Sequence, residues 1–148
     1  MKKKLSLFCA FVLLVAMMVP AAQAQSTYQE TETVYTEYGD FEIETTTIVY
    51  NTVSRSSSRS ADKEQVIRYD GKVIAEVTLS ATFGYDGSTA WVTNSSSSYT
   101  TYNGWSYGSE RITESGSSVS LTAKITKLLY PSGNISISLK CSPSGQIS

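Results

Sequence analysis

From Lys72 to Thr93 the chain places an apolar residue on every second position. Val73, Ala75, Val77, Leu79, Ala81 and Phe83 alternate with Ile74, Glu76, Thr78, Ser80 and Thr82. A period of two is the mark of a strand with one face buried and the other wet. Asp70-Gly71 precedes this run and Asp86-Gly87 follows it. Asp-Gly supplies the positive φ that tight hairpin turns require. The spacing predicts two hairpins sharing one long central strand, around which the rest of the chain assembles.

Similar runs recur on either side. Thr31 to Tyr38 reads as a strand after a loose leader from Gln25 to Glu30, and Gly39-Asp40 reads as a two-residue turn. Phe41, Ile43, Thr45, Thr47 and Val49 then alternate with Glu42, Glu44, Thr46, Ile48 and Tyr50. Ser54 to Ser60 has no apolar residue and reads as a flexible polar loop. A short strand over Glu64 to Tyr69 follows it. Beyond the central strand, Ser88 to Asn94 reads as a strand, Ser95 to Ser98 as a polar loop and Tyr99 to Tyr102 as a further short strand. Asn103-Gly104 is a third hairpin signal. Glu110 to Glu114, Val119 to Tyr130 and Asn134 to Cys141 complete the series, with turns at Ser115-Gly116-Ser117 and Pro131-Ser132-Gly133. About eight strands at this spacing, without a helix, predict a single all-β domain. An antiparallel β-sandwich or a partly open barrel would satisfy the pattern.

The first 24 residues are patterned differently. Lys2, Lys3 and Lys4 precede the apolar run Leu5 to Val19, Pro20 ends it, and Ala22-Gln23-Ala24 has the small-x-small form of a cleavage site. The run is shorter than the roughly 20 residues a spanning helix needs. The expectation is a cleaved secretory signal over residues 1–24 and a released, extracellular domain over 25–148, with no stable membrane anchor. Loss of the three lysines would leave 9 basic residues against 13 acidic ones, a formal charge of −4 in place of −1. That balance lacks the electrostatic footprint of nucleic-acid binding. Glu30, Glu32, Glu37, Asp40, Glu42 and Glu44 gather near the start of the domain. They alternate along strands instead of converging in one loop, which reads as a solvated face and not as a calcium site. Ser and Thr fill roughly a third of the domain, far above average usage. Their alternation with Val, Ile, Leu and Tyr points to exposed β surface.

Candidate chemistry is sparse. The chain has no histidine, which removes Ser-His-Asp and Cys-His catalysis and the usual ligand of zinc and copper. Glu76, Asp86, Glu110 and Glu114 could form a carboxylate pair only if two of them met across a cleft. The expectation is no enzyme, no cofactor and no metal. Once Cys9 leaves with the signal, Cys141 stands alone, as a buried thiol or in an intermolecular bond. The most suggestive feature is aromatic. Tyr99, Tyr102, Trp105 and Tyr107 crowd around Asn103-Gly104, and exposed rings stack on flat apolar ligand faces such as those of sugars. Tyr99, Tyr102, Asn103, Trp105 and Tyr107 are therefore the candidate ligand-binding residues, whereas Trp91 and Tyr85 read as cross-strand packing.

Two fragments, Thr82-Phe83-Gly84-Tyr85-Asp86-Gly87-Ser88-Thr89 and Cys141-Ser142-Pro143-Ser144-Gly145, resemble small secreted all-β proteins of unknown function from Gram-positive bacteria. The resemblance runs from about Val77 to the end of the chain and implies secretion and a β fold, with no activity. Many such proteins carry a second Cys just after the first fragment. Trp91, Val92 and Thr93 stand there in this chain, so the resemblance supplies no partner for Cys141. The leading expectation is a non-enzymatic binding domain for cell-surface glycan or protein. The alternatives are an assembly protein pairing through exposed strand edges, of which Asn134 to Cys141 is the candidate, and a bacteriocin-like effector.

Overall fold

The structure, a computed structural model, describes residues 25–34, 41–50 and 57–148. The described chain is all β. Its strands are β1 (Gln25–Val34), β2 (Phe41–Tyr50), β3 (Ser58–Tyr69), β4 (Lys72–Tyr85), β5 (Ala90–Thr101), β6 (Ser106–Ser115), β7 (Ser118–Thr126) and β8 (Gly133–Lys140). They form two antiparallel sheets, a five-stranded one in the order β1-β2-β3-β4-β5 and a three-stranded one in the order β6-β7-β8. No closed barrel forms. Among the described residues no helix is long and apolar enough to cross a membrane.

The central strand is β4, joined to β3 and β5 in two hairpins, as the alternation predicts. Its turn with β3 has Asp70 at φ 50° and Gly71 at φ 72°, both in the left-handed region that a two-residue type I′ turn demands. The second turn is longer than a two-residue loop. Asp86 Oδ1 accepts hydrogen bonds from the backbone N–H of Ser88 and Thr89, and Asp86 N donates to Thr89 O, closing a four-residue connection.

Both sheets bury one face in a shared core. Val77, Leu79, Ala81 and Phe83 of β4 meet Val119, Leu121 and Ile125 of β7 and Ile135, Ile137 and Leu139 of β8. The alternation slips near the start of β4. A bulge between Ile67 and Arg68 leaves both Ile74 and Ala75 buried and turns Val73 half outward, since an extra residue in one strand shifts every side chain beyond it. Across the layers β8 lies against β3 and β4, β7 against β4 and β5, and β6 against β5.

Several boundaries depart from the sequence reading. β6 begins at Ser106, not Glu110, and β7 ends at Thr126, not Tyr130. β1 starts at Gln25, not Thr31, because the segment pairs along the full length of β2. β3 begins at Ser58, so the polar stretch Ser58 to Lys63 is strand, paired with β4 throughout and with β2 from Ser60 onward. Ser95 to Ser98 is not a loop. It pairs residue by residue with Ala81 to Thr78 in one continuous β5, as hydroxyl side chains tolerate an exposed sheet face. Asn103-Gly104 makes a tight turn, but the strands it joins belong to different sheets. The Gly39-Asp40 turn and residues 54–56 of the loop expected over 54–60 lie outside the described residues, and Ser58 to Ser60 of that loop are strand.

Candidate functional site

The turn at Asn103-Gly104 organises the aromatic residues. Trp105 N donates to Tyr102 O, and Asn103 and Gly104 have φ of 56° and 76°. Asn103 Nδ2 donates to Val73 O at 2.9 Å, and Tyr102 N donates to Ile74 O. Lys127 Nζ reaches back to Asn103 O at 2.8 Å. The amide of Asn103 thus fixes the crossing from the large sheet to the small one.

The five candidate residues do not form one surface. Trp105 is only 6% exposed and sits in a cluster of rings, with centroids 6.0 Å from Phe41, 5.5 Å from Tyr69 and 5.7 Å from Tyr130. Tilted and edge-on contacts at these separations are the favoured packing of aromatic rings. The stacking platform expected at Trp105 is corrected: this ring closes one end of the core. A pocket of about 290 Å³ beside it is lined by Tyr69, Asp70, Lys72, Asn103, Lys127 and Tyr130 among others, and Lys127 Nζ stands 4.6 Å over the Tyr130 ring.

Tyr102 lies elsewhere. Its hydroxyl donates to Glu76 Oε2 at 2.9 Å, which holds the phenol above its ordinary pKa. Glu76 alternates with the fully buried Val77, so Tyr102 decorates the outer face of the large sheet. Together with Lys72, Val73, Glu76 and Asn103 it lines a shallow surface depression.

Tyr99 and Tyr107 do come together. Their rings stack with centroids 4.0 Å apart and planes 20° from parallel. Tyr99 pairs with Val77 in the register, so it stands on the core-facing side of β5, at the flank where β6 approaches. There the two sheets are joined by a ladder of side chains. Tyr107 Oη donates to Glu110 Oε2 at 2.5 Å, Ser97 Oγ to Glu110 Oε1 at 3.0 Å and Ser95 Oγ to Glu114 Oε1 at 2.6 Å. Burial, then the Glu110 hydrogen bond and its charge, raise the Tyr107 phenol far above its ordinary value. It remains a neutral donor to Glu110 at any physiological pH. Tyr99 keeps 55% of its surface exposed, with one ring face on Tyr107 and a rim of carboxylates and hydroxyls beside it.

Glu110 and Glu114, weighed in the sequence as catalytic carboxylates, are thus rungs of this ladder. Asp86 serves its turn and Glu76 the Tyr102 hydroxyl. Trp91, expected to pack, does so on one face only. Its indole lies over Gly84 and is 43% exposed. The sequence pairing that best announced the stacked site was Tyr99 with Ser97, two positions apart and hence on one strand face. The Ser95 to Ser98 run hid it by resembling a loop. No family model matches the chain, and no curated protein and no solved structure matches it either.

Proposed function

We propose that this chain is a secreted, non-enzymatic binding module, and that the Tyr99–Tyr107 face between β5 and β6 receives a glycan of a cell surface. The observation that carries the reading is the exposed Tyr99 ring, braced from behind by Tyr107 at 4.0 Å. A sugar presents a flat patch of C–H groups, which stacks on a ring face, and hydroxyls, which need acceptors around that ring. Glu110 and Glu114 supply carboxylate oxygens along the same flank, and Ser95 and Ser97 supply hydroxyls. The ladder fixes these groups before any ligand arrives, so little side-chain freedom is lost on binding. The signal-like first 24 residues and the resemblance to small secreted β proteins support an extracellular role.

The test is retention of the purified protein on insoluble cell-wall and host polysaccharides. One polysaccharide class should hold the protein, and Tyr99→Ala should weaken that retention by about tenfold, the equivalent of one good ring contact. Trp105→Phe should bind as the parent does. Retention by no polysaccharide, or equal retention of Tyr99→Ala, would overturn the reading.

A further inference from the structure

The loop between β7 and β8 carries the most exposed large apolar side chains among the described residues. Leu128 is 85% exposed and Leu129 94%. Tyr130 N donates to Lys127 O at 3.1 Å, which places the two leucines at the corner positions of a four-residue turn. Leu129 holds φ at 69°. A positive φ at the third position of a turn suits Gly or Asn, and a bulky side chain there is strained. The fold gains nothing from this leucine, whose backbone is strained and whose side chain stands in water. Such a residue points to a role outside the fold.

The turn is held from below. The Tyr130 ring lies 5.9 Å from that of Tyr69 and 5.7 Å from that of Trp105, and Lys127 Nζ donates to Asn103 O at 2.8 Å. The leucine pair therefore projects from a fixed base. Beside it, the pocket of about 290 Å³ has aromatic walls and brings Lys72 and Lys127 together with Asp70 and Asn103. Among the described residues the ion pairs join Arg68 to Glu42 and Glu44, and neither lysine takes part in one. Lys124, three residues before Lys127, adds another exposed cation.

We propose that this tip docks the protein on a lipid bilayer with anionic headgroups. The Leu128 and Leu129 side chains enter the boundary between headgroups and acyl chains, and a lipid phosphate settles in the pocket that Lys72 and Lys127 line. Charge favours this occupant. Lys72, Lys124 and Lys127 outnumber the exposed Asp70 around the tip. Glu42 and Glu44 are engaged by Arg68, and Glu76 by the Tyr102 hydroxyl. Each lysine near an anionic membrane surface adds about 1 kcal/mol of attraction. A second copy meeting this one tip to tip would bring the same lysines together, and like charges across a contact repel. The core of a protein interface is depleted of charge, whereas membrane-surface segments combine an apolar face with lysine and arginine. Two leucines and three lysines give a reversible contact and not an anchor.

Co-sedimentation with vesicles tests the proposal, using phosphatidylcholine alone and phosphatidylcholine mixed with an equal share of phosphatidylglycerol. The protein used is the chain from Gln25, which holds all eight strands, because the apolar run Leu5 to Val19 would bind lipid by itself. These vesicles carry no carbohydrate, so the outcome is independent of glycan binding. The mixed vesicles should carry the protein down, and phosphatidylcholine alone should carry less. Leu128→Ser and Leu129→Ser should each lower binding about tenfold, and Lys72→Glu about fivefold. Leu129→Gly separates docking from structure. It should lose binding as Leu129→Ser does, yet be at least as stable in urea as the parent, because glycine adopts a positive φ without strain. Any of four results would overturn the proposal: no binding to the mixed vesicles or equal binding to both kinds, binding indifferent to the leucine or lysine substitutions, a Leu129→Gly protein less stable than the parent, or a parent dimer that the leucine substitutions dissolve.

Discussion

The indole of Trp91 lies flat across the backbone of Gly84, its cross-strand neighbour, so close that a methyl group at Gly84 would stand 2.5 Å from the ring. The absence of a side chain at Gly84 is what lets the ring lie down on the sheet. Gly84→Ala should lift the indole into solvent and cost about 1–3 kcal/mol, the usual range for overpacking. Urea unfolding measures the cost, and quenching by iodide measures the exposure of Trp91. An unchanged quenching constant would show that the ring does not rest there.

Trp105 should behave in the opposite way. Removing a buried ring that touches Phe41, Tyr69 and Tyr130 leaves a cavity, and Trp105→Ala should lose about 3–5 kcal/mol of stability. Trp105→Phe should lose much less. In the parent protein, iodide should quench the Trp91 emission and leave that of Trp105 nearly untouched. Equal quenching of both would contradict the burial of Trp105.

The Asp86 carboxylate accepts hydrogen bonds from the Thr89 and Ser88 backbone, and these hold its pKa below the ordinary value of 3.8. A carboxyl depressed in the folded state stabilises the fold fully above its unfolded pKa and loses that contribution as pH falls through the folded one. Comparison of the parent with Asp86→Asn by urea unfolding should show a gap at neutral pH. The gap should narrow as the pH drops from the ordinary carboxylate range toward the depressed value. A gap that does not vary with pH would contradict this role.

Cys141 is wholly buried, and burial raises its thiol pKa against a smaller opposing pull from the Arg59 charge. Thiolate is the reactive form. A thiol reagent at mildly alkaline pH should therefore modify the native protein far more slowly than the urea-unfolded chain. Equal rates would mean that the C-terminal turn does not shield the sulfur.

The parts of the fold written in local pattern were legible. β2, β4, β7 and β8 announce themselves by alternation, and Asp70-Gly71 and Asn103-Gly104 by the positive φ their turns need. What escaped depends on partners distant in sequence. Ser58 to Lys63 and Ser95 to Ser98 have no apolar rhythm and become strand because β4 offers its edges to them. Trp105 looks exposed beside its turn, and three aromatic residues from elsewhere in the chain bury it. The division into five strands and three turns on a crossing at Asn103-Gly104 that has the same local sequence as an ordinary hairpin. For the candidate site, the residue types were visible and their grouping was not. Tyr99 and Tyr107 meet across two sheets, and Tyr102 turns to the other face of the strand.

The binding proposal rests on Tyr99, and aromatic-region NMR of the tyrosine rings during titration with the retained polysaccharide reads that residue itself. The Tyr99 and Tyr107 ring signals should shift together and saturate, with those of Tyr69 and Trp105 unmoved. Saturable shifts confined to other residues, or no shift at Tyr99 while the polysaccharide binds, would contradict it.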